Sequence, residues 1–84
     1  MSKDLVIIKT YNGTPLVRRV WEENESFIYI TNDEQFKHLA NGEEALEPVA
    51  FPRKDVFQYD PELASLMDKL LENGEWDWNK LLPF

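Results

Sequence analysis

The side chains that could carry chemistry are few in this 84-residue sequence. His38 is the only histidine, and it is expected on the solvated side of a short helix. The chain has no cysteine, and none of its three serines stands in the strand-to-helix context that exposes a nucleophile. All three glycines fall at predicted turns, so no phosphate-binding loop is predicted. We therefore predict a protein that is not an enzyme.

Carboxylates are plentiful: 16 acidic residues against 9 basic ones give a net charge of -7. The acidic runs at residues 22–25 and 43–44 lack the ligand spacing and glycine of a calcium loop, so no metal or cofactor is predicted. Residues 33–47 and 60–84 each carry -4, which puts the acid on the predicted helices. Two interpretations stay open, a solvated acidic surface and an acidic face that mimics nucleic acid or docks a basic partner.

Basic residues interleave with tyrosines in the first half of the chain. Arg18 and Arg19 are adjacent in a predicted strand, so their side chains point to opposite faces of the sheet. Ion pairing inside the fold is one interpretation. The other is a basic-aromatic surface of Lys9, Tyr11, Arg18 and Tyr29, suited to an acidic peptide or single-stranded nucleic acid.

The C-terminal tail, residues 75–84, carries two of the three tryptophans, Trp76 and Trp78. So apolar a segment is expected to be covered. It would either fold back onto its own domain or form a segment for partner binding or self-association, since large aromatic side chains anchor many protein interfaces.

The elements that position these residues begin with a three-stranded meander at residues 5–11, 14–21 and 26–31. The Asn12-Gly13 pair predicts a two-residue type I′ turn, because both residues tolerate positive φ. That turn would pair Ile8 with Val17. A second turn at residues 23–24 would pair Val20 with Phe27.

In this register both faces of the meander are largely apolar. One predicted face comprises Val6, Ile8, Val17, Trp21, Ile28 and Ile30 around Arg19. The other comprises Leu5, Ile7, Leu16, Val20, Phe27 and Tyr29 around Arg18 and Lys9. A sheet with one solvated face would alternate apolar with polar residues, so the meander is predicted to be covered on both sides or curled into a barrel. A slip of one residue would exchange the faces.

Two helices are predicted. The first, residues 32–41, would begin at Thr31 as N-cap with Glu34 completing a capping box, and would end at Asn41-Gly42. The second, residues 61–73, would begin at the Asp60-Pro61 pair. Its apolar stripe comprises Leu63, Leu66, Met67, Leu70 and Leu71.

Two short strands, residues 49–51 and 56–59, flank a proline-led turn in the sequence VAFPRKDV at residues 49–56. This order of elements resembles an Src-homology-3-like small barrel over residues 5–59, without the acidic-aromatic motif or paired tryptophan of the eukaryotic signalling domains. The resemblance implies a mainly β fold, a five-stranded barrel with an inserted helix, to which the C-terminal helix and the tail would be additions. The length predicts a single domain of residues 1–84. Barrels of this kind serve many functions, so the resemblance implies no particular one.

The absence of catalytic motifs predicts a small non-catalytic protein-interaction module. It would bind a protein partner or a second copy of itself through an aromatic surface or the tryptophan tail. The alternative is a nucleic-acid-related protein, either an RNA-binding barrel or an acidic mimic, although the net charge disfavours direct binding to nucleic acid. No signal or membrane segment is predicted, because the longest early apolar run covers only residues 5–8, and a cytoplasmic location is expected.

Overall fold

A computed structural model describes residues 5–84, in which five β-strands and two α-helices are connected by turns. The strands are β1 (Leu5–Lys9), β2 (Pro15–Glu23), β3 (Phe27–Thr31), β4 (Val49–Pro52) and β5 (Val56–Gln58). The helices are α1 (Asp33–Ala40) and α2 (Pro61–Glu72), and 3₁₀ turns cover Arg53–Asp55 and Trp78–Lys80. Residues 1–4 of the predicted single domain lie outside the described residues.

The strands form one antiparallel sheet in the order β4-β3-β2-β1-β5. The sheet is not closed, because β4 and β5 are the two ends of this order. The structure therefore confirms a mainly β fold of five antiparallel strands with two added helices. It does not establish a barrel.

The predicted register of the first hairpin is wrong by one residue. Gly13 has a φ of +82°, but among residues 5–84 only glycines have a positive φ. Asn12 therefore lacks the positive φ that a type I′ turn requires, and this turn type is excluded. The Gly13 amide instead donates to the Thr10 carbonyl at 2.9 Å, and the Thr10 amide donates to the Thr14 carbonyl at 3.2 Å. Gly13 thus acts as a bulge residue after an ordinary turn, and Ile8 pairs with Leu16 rather than with Val17.

The second hairpin turns later than predicted. The Asn24 side chain accepts hydrogen bonds from the amides of Ser26 and Phe27 at 2.9 and 2.8 Å, which places the turn beyond the predicted residues 23–24. A bulge in β2 between Val20 and Glu22 shifts the register again. Val20 therefore lies opposite Ile30 and not opposite Phe27.

These two shifts change which residues share the main core. The buried cluster comprises Val6, Ile8, Val20, Ile28, Ile30 and Val56, with Leu16, Phe51 and Phe84 packed against it. Val20 and Leu16 thus belong with Val6 and Ile8, whereas the predicted faces separated them. The exchange follows from the one-residue slip in pairing, because alternate side chains of a strand point to opposite faces.

Helix α1 covers part of the opposite face. Phe36 makes an edge-to-face contact with Trp21, with ring centroids 5.4 Å apart, and the Arg19 guanidinium lies 5.4 Å from the Phe36 ring. Arg19 Nε also pairs with Asp33 Oδ1 at 3.1 Å. Arg19 is therefore held by an ion pair within the fold, one of the two roles predicted for the adjacent arginines.

The predicted N-cap of α1 is wrong by one residue. The Asn32 side chain, not that of Thr31, accepts a hydrogen bond from the Gln35 amide at 2.7 Å. The Thr31 side chain is buried instead, and its hydroxyl lies 3.4 Å from the Arg19 carbonyl. Asparagine is at least as good an N-cap as threonine, so the local sequence allows the helix to begin after either residue. Burial of the Thr31 side chain leaves Asn32 as the N-cap.

Helix α2 begins and ends where its local signals predict. Asp60 accepts from the Glu62 amide at 3.0 Å, and Pro61 occupies the first turn. At the C-terminal end the Glu75 amide donates to the Leu70 carbonyl at 2.8 Å, and Gly74 adopts a φ of +71°. Among residues 5–84, no helix is long and apolar enough to cross a membrane.

Candidate binding surface

Three of the predicted site residues come together beside the first hairpin turn. Lys9 lies with its ammonium 5.8 Å from the centre of the Trp78 ring, and Trp76 meets Trp78 edge to face at 5.3 Å between centroids. Tyr11 is fully exposed in the adjoining turn. The structure therefore brings the basic side chain of β1 to the tail tryptophans.

The other two predicted site residues lie elsewhere. Arg18 pairs with Val6, which places it on the opposite face of the sheet from Lys9, and its guanidinium donates to the Val17 carbonyl at 2.7 Å. Tyr29 lies opposite Glu22, about 20 Å along the strand direction from Lys9. The structure does not bring Lys9, Arg18 and Tyr29 into one surface.

The tail packs against the chain's own sheet. Trp78 stacks on Phe57 with ring centroids 5.0 Å apart, and its indole Nε1 donates to the Gly13 carbonyl at 3.2 Å. Trp76 buries its Nε1 with no hydrogen-bond acceptor in the part of the chain that the structure describes, so this ring contributes packing rather than polar contacts. Both indole rings are thus engaged within the protein.

The last residues of the tail extend the sheet. The Gln58 amide donates to the Leu82 carbonyl at 2.9 Å, and the Phe84 amide donates to the Val56 carbonyl at 3.1 Å. Phe57 and Pro83 form an antiparallel bridge between these two bonds. The tail therefore covers the outer edge of β5, and the Phe84 side chain packs against the main core.

Helix α2 leaves part of its apolar stripe uncovered. Three residues of the stripe, Leu63, Met67 and Leu70, are half-buried. Leu66 is 50% exposed and Leu71 is 36% exposed. No residue of α2 is fully buried. The sequence predicts the stripe, but only the tertiary structure shows which of its leucines are left in solvent.

A groove of about 320 Å³ separates the start of α2 from the tail. It is lined by polar and apolar residues: Tyr59, Pro61, Leu63, Leu81 and Leu82, together with Gln58, Asp60 and Lys80. Leu82 is 66% exposed. Leu66 lies one helical turn after Leu63 and so continues the apolar lining along α2. We call the groove, extended along α2 by Leu66, the α2–tail groove.

Polar chemistry is concentrated at a second depression, of about 240 Å³, beside α1. His38 lies there between two carboxylates, with Nδ1 3.3 Å from Glu43 Oε2 and Nε2 4.0 Å from Glu34 Oε1. No group of three or more acidic, histidine or cysteine side chains among residues 5–84 is arranged to hold a metal ion. The arrangement is an exposed cluster of polar contacts at the end of α1.

No protein-family model, no curated protein and no solved structure matches the chain.

Proposed function

We propose that the protein is a small non-catalytic interaction module that binds a protein partner through the α2–tail groove. The observation that carries this proposal is the exposure of Leu82, which lines the groove, and of Leu66, which lies one helical turn after the lining residue Leu63. The sequence pointed to the aromatic surface and the tryptophan tail for this role. Because Trp78 contacts the protein's own sheet and Trp76 packs against Trp78, the exposed leucines take that role in the proposal.

The exposed apolar surface is large enough to matter for binding. Complete burial of a leucine side chain contributes about 1.5–3 kcal/mol. Since half of Leu66 and two thirds of Leu82 are uncovered, a partner that covers both would gain roughly 2–3 kcal/mol. That gain corresponds to about a hundredfold in affinity. The groove volume of about 320 Å³ lies at the lower end of the range for ligand pockets and suits inserted side chains.

We also propose that the sheet is an Src-homology-3-like scaffold. The strand order β4-β3-β2-β1-β5 and the 3₁₀ turn between β4 and β5 support this architecture. The pairing of the tail with the outer edge of β5 fits a small curled sheet whose edge needs protection. The proposed binding surface lies outside this scaffold, on the helix and tail that follow it.

Selection of binding peptides from a random displayed library would test the proposed surface. We expect the selected peptides to lose at least about tenfold in affinity for Leu66→Asp and for Leu82→Asp, because each change places a charge on an apolar contact. Both side chains are exposed, so the variants should fold. Circular dichroism would verify that they do.

Leu46→Asp is the matched control. Leu46 is 83% exposed and lines the depression beside α1, away from the α2–tail groove. It should leave peptide affinity unchanged. Selected peptides that bind all three variants as tightly as the unmodified protein would show that the binding surface lies elsewhere.

A further inference from the structure

We infer that the occupant of the α2–tail groove is a cationic amphipathic helix of a partner protein. This inference rests on the proposed function and adds the chemistry of the partner. It follows from the net charge of residues 60–84, the segment that supplies most of the groove's lining. Residues 60–84 contain six acidic side chains against two lysines, a net charge of -4. The acidic side chains are Asp60, Glu62, Asp68, Glu72, Glu75 and Asp77.

Among residues 5–84, these carboxylates take part in no ion pair. The ion pairs among residues 5–84 join Arg19 to Asp33 and Arg53 to Glu23, and His38 lies within 4.0 Å of two glutamates. None of them involves the six acidic side chains of residues 60–84. Their field is therefore available to a basic partner, which it would steer toward the groove.

Two of the carboxylates lie in the groove or next to its helical side. Asp60 lines the groove, and Glu62 lies one helical turn before Leu66 on the same side of α2. Both are exposed. Lys80 is the one basic residue among the described residues that line the groove. A segment with apolar side chains on one face and lysines or arginines beside them would satisfy the leucines and the carboxylates together.

A helical segment fits this surface best. Leu63 and Leu66 form a ridge along α2, and an amphipathic helix presents a matching row of apolar side chains at the spacing of its turns. The neighbouring positions of such a helix can carry cations on both sides of its apolar face. The partner thus needs leucine-like residues one turn apart with lysine or arginine between them.

A second copy of the chain fits less well. Each copy carries a net charge of -7, and a symmetric dimer through this groove would bring two acidic margins together. Apolar contact would then be opposed by repulsion between like charges. The same field also disfavours an acidic segment.

Fluorescence anisotropy with three labelled probe peptides tests the inference. The first is a helical peptide with leucines on one face and lysines on the other, the second replaces its lysines with glutamates, and the third scrambles the positions of its leucines. We expect the first to bind at least about tenfold more tightly than either of the others, with an affinity that falls as salt is added.

Paired charge variants locate the effect. Asp60→Asn with Glu62→Gln should weaken the cationic probe about threefold to tenfold, and asparagine preserves the N-cap of α2. Glu44→Gln with Glu47→Gln makes the same change in net charge on the loop before β4 and should leave the affinity nearly unchanged. If both pairs weakened the cationic probe equally, the affinity would depend only on the protein's net charge and not on the groove. That result would overturn the inference.

Failure of this inference and failure of the proposed function give different results. If the glutamate probe binds as well as the lysine probe, or if neither binds, the partner is not cationic. The proposed function then survives as long as selected peptides still depend on Leu66 and Leu82. A dimer in light scattering that Leu66→Asp dissociates would identify a second copy as the occupant and would overturn the inference.

Discussion

Ile28→Ala is expected to lower the free energy of unfolding by about 3 kcal/mol, within the roughly 2–5 kcal/mol typical of truncating a buried isoleucine. Ile28 has no exposed surface and lies in the main core on β3, between β2 and β4. Truncation removes its contacts and leaves a cavity that neighbouring strands cannot fill without shifting. Chemical denaturation followed by circular dichroism would measure the change.

Leu46→Ala serves as the control for this change. Leu46 is 83% exposed, so its truncation should alter stability by less than about 0.5 kcal/mol. Similar losses for the two variants would mean that Ile28 is not in the core and that the strand register described here is incorrect.

Trp78→Ala should lower the free energy of unfolding by about 2–3 kcal/mol. The loss is smaller than the roughly 3–5 kcal/mol typical of a fully buried tryptophan, because the Trp78 ring is half-buried. The change removes the contacts of the ring with Phe57, Trp76 and the Lys9 ammonium. It also leaves the Gly13 carbonyl without its indole donor. Thermal or chemical unfolding of the purified protein would report the loss.

Trp78→Phe separates the two contributions. Phenylalanine retains a ring against Phe57 but cannot donate to the Gly13 carbonyl, so it should cost only about 1 kcal/mol. If Trp78→Ala left stability unchanged, the tail would not be packed on the sheet in solution. Its tryptophans would then be available to a partner, as the alternative interpretation of the sequence holds.

Local signals in the sequence predicted the elements well. The Asp60-Pro61 pair and Gly74 mark the ends of α2 because an N-cap, a proline in the first turn and a positive φ are each properties of one or two residues. The 3₁₀ turn after Pro52 follows from the same kind of local chemistry. Element boundaries that depend only on residues adjacent in the sequence can therefore be predicted from the sequence.

Strand register was not predictable by the same means. The Asn12-Gly13 pair is compatible with a two-residue turn and with a longer turn that ends in a glycine bulge, and the two differ by one residue in pairing. Both predicted faces were apolar, so hydrophobic patterning could not choose between them. The bulge between Val20 and Glu22 likewise leaves no clear mark in the sequence.

The candidate surface depends on contacts between distant parts of the chain. Leu66 and Leu71 look like ordinary members of the α2 stripe, and their exposure depends on where the helix lies relative to the sheet and tail. The contact between Leu82 and Gln58 joins residues from opposite sides of α2 in the sequence. No local sequence pattern predicts the exposure of these leucines or the contact between Leu82 and Gln58. The acidic charge of residues 60–84, by contrast, was evident from composition.

We expect partners to bind the α2–tail groove and not the aromatic cluster of Lys9, Trp76 and Trp78 beside the first hairpin. Nuclear magnetic resonance of the ¹⁵N-labelled protein, titrated with the tightest peptide selected from the displayed library, would show which surface is bound. We expect the largest amide shifts at Leu63, Leu66 and Leu82. Shifts centred instead on Lys9 and Tyr11, with the α2 amides unmoved, would contradict the claim.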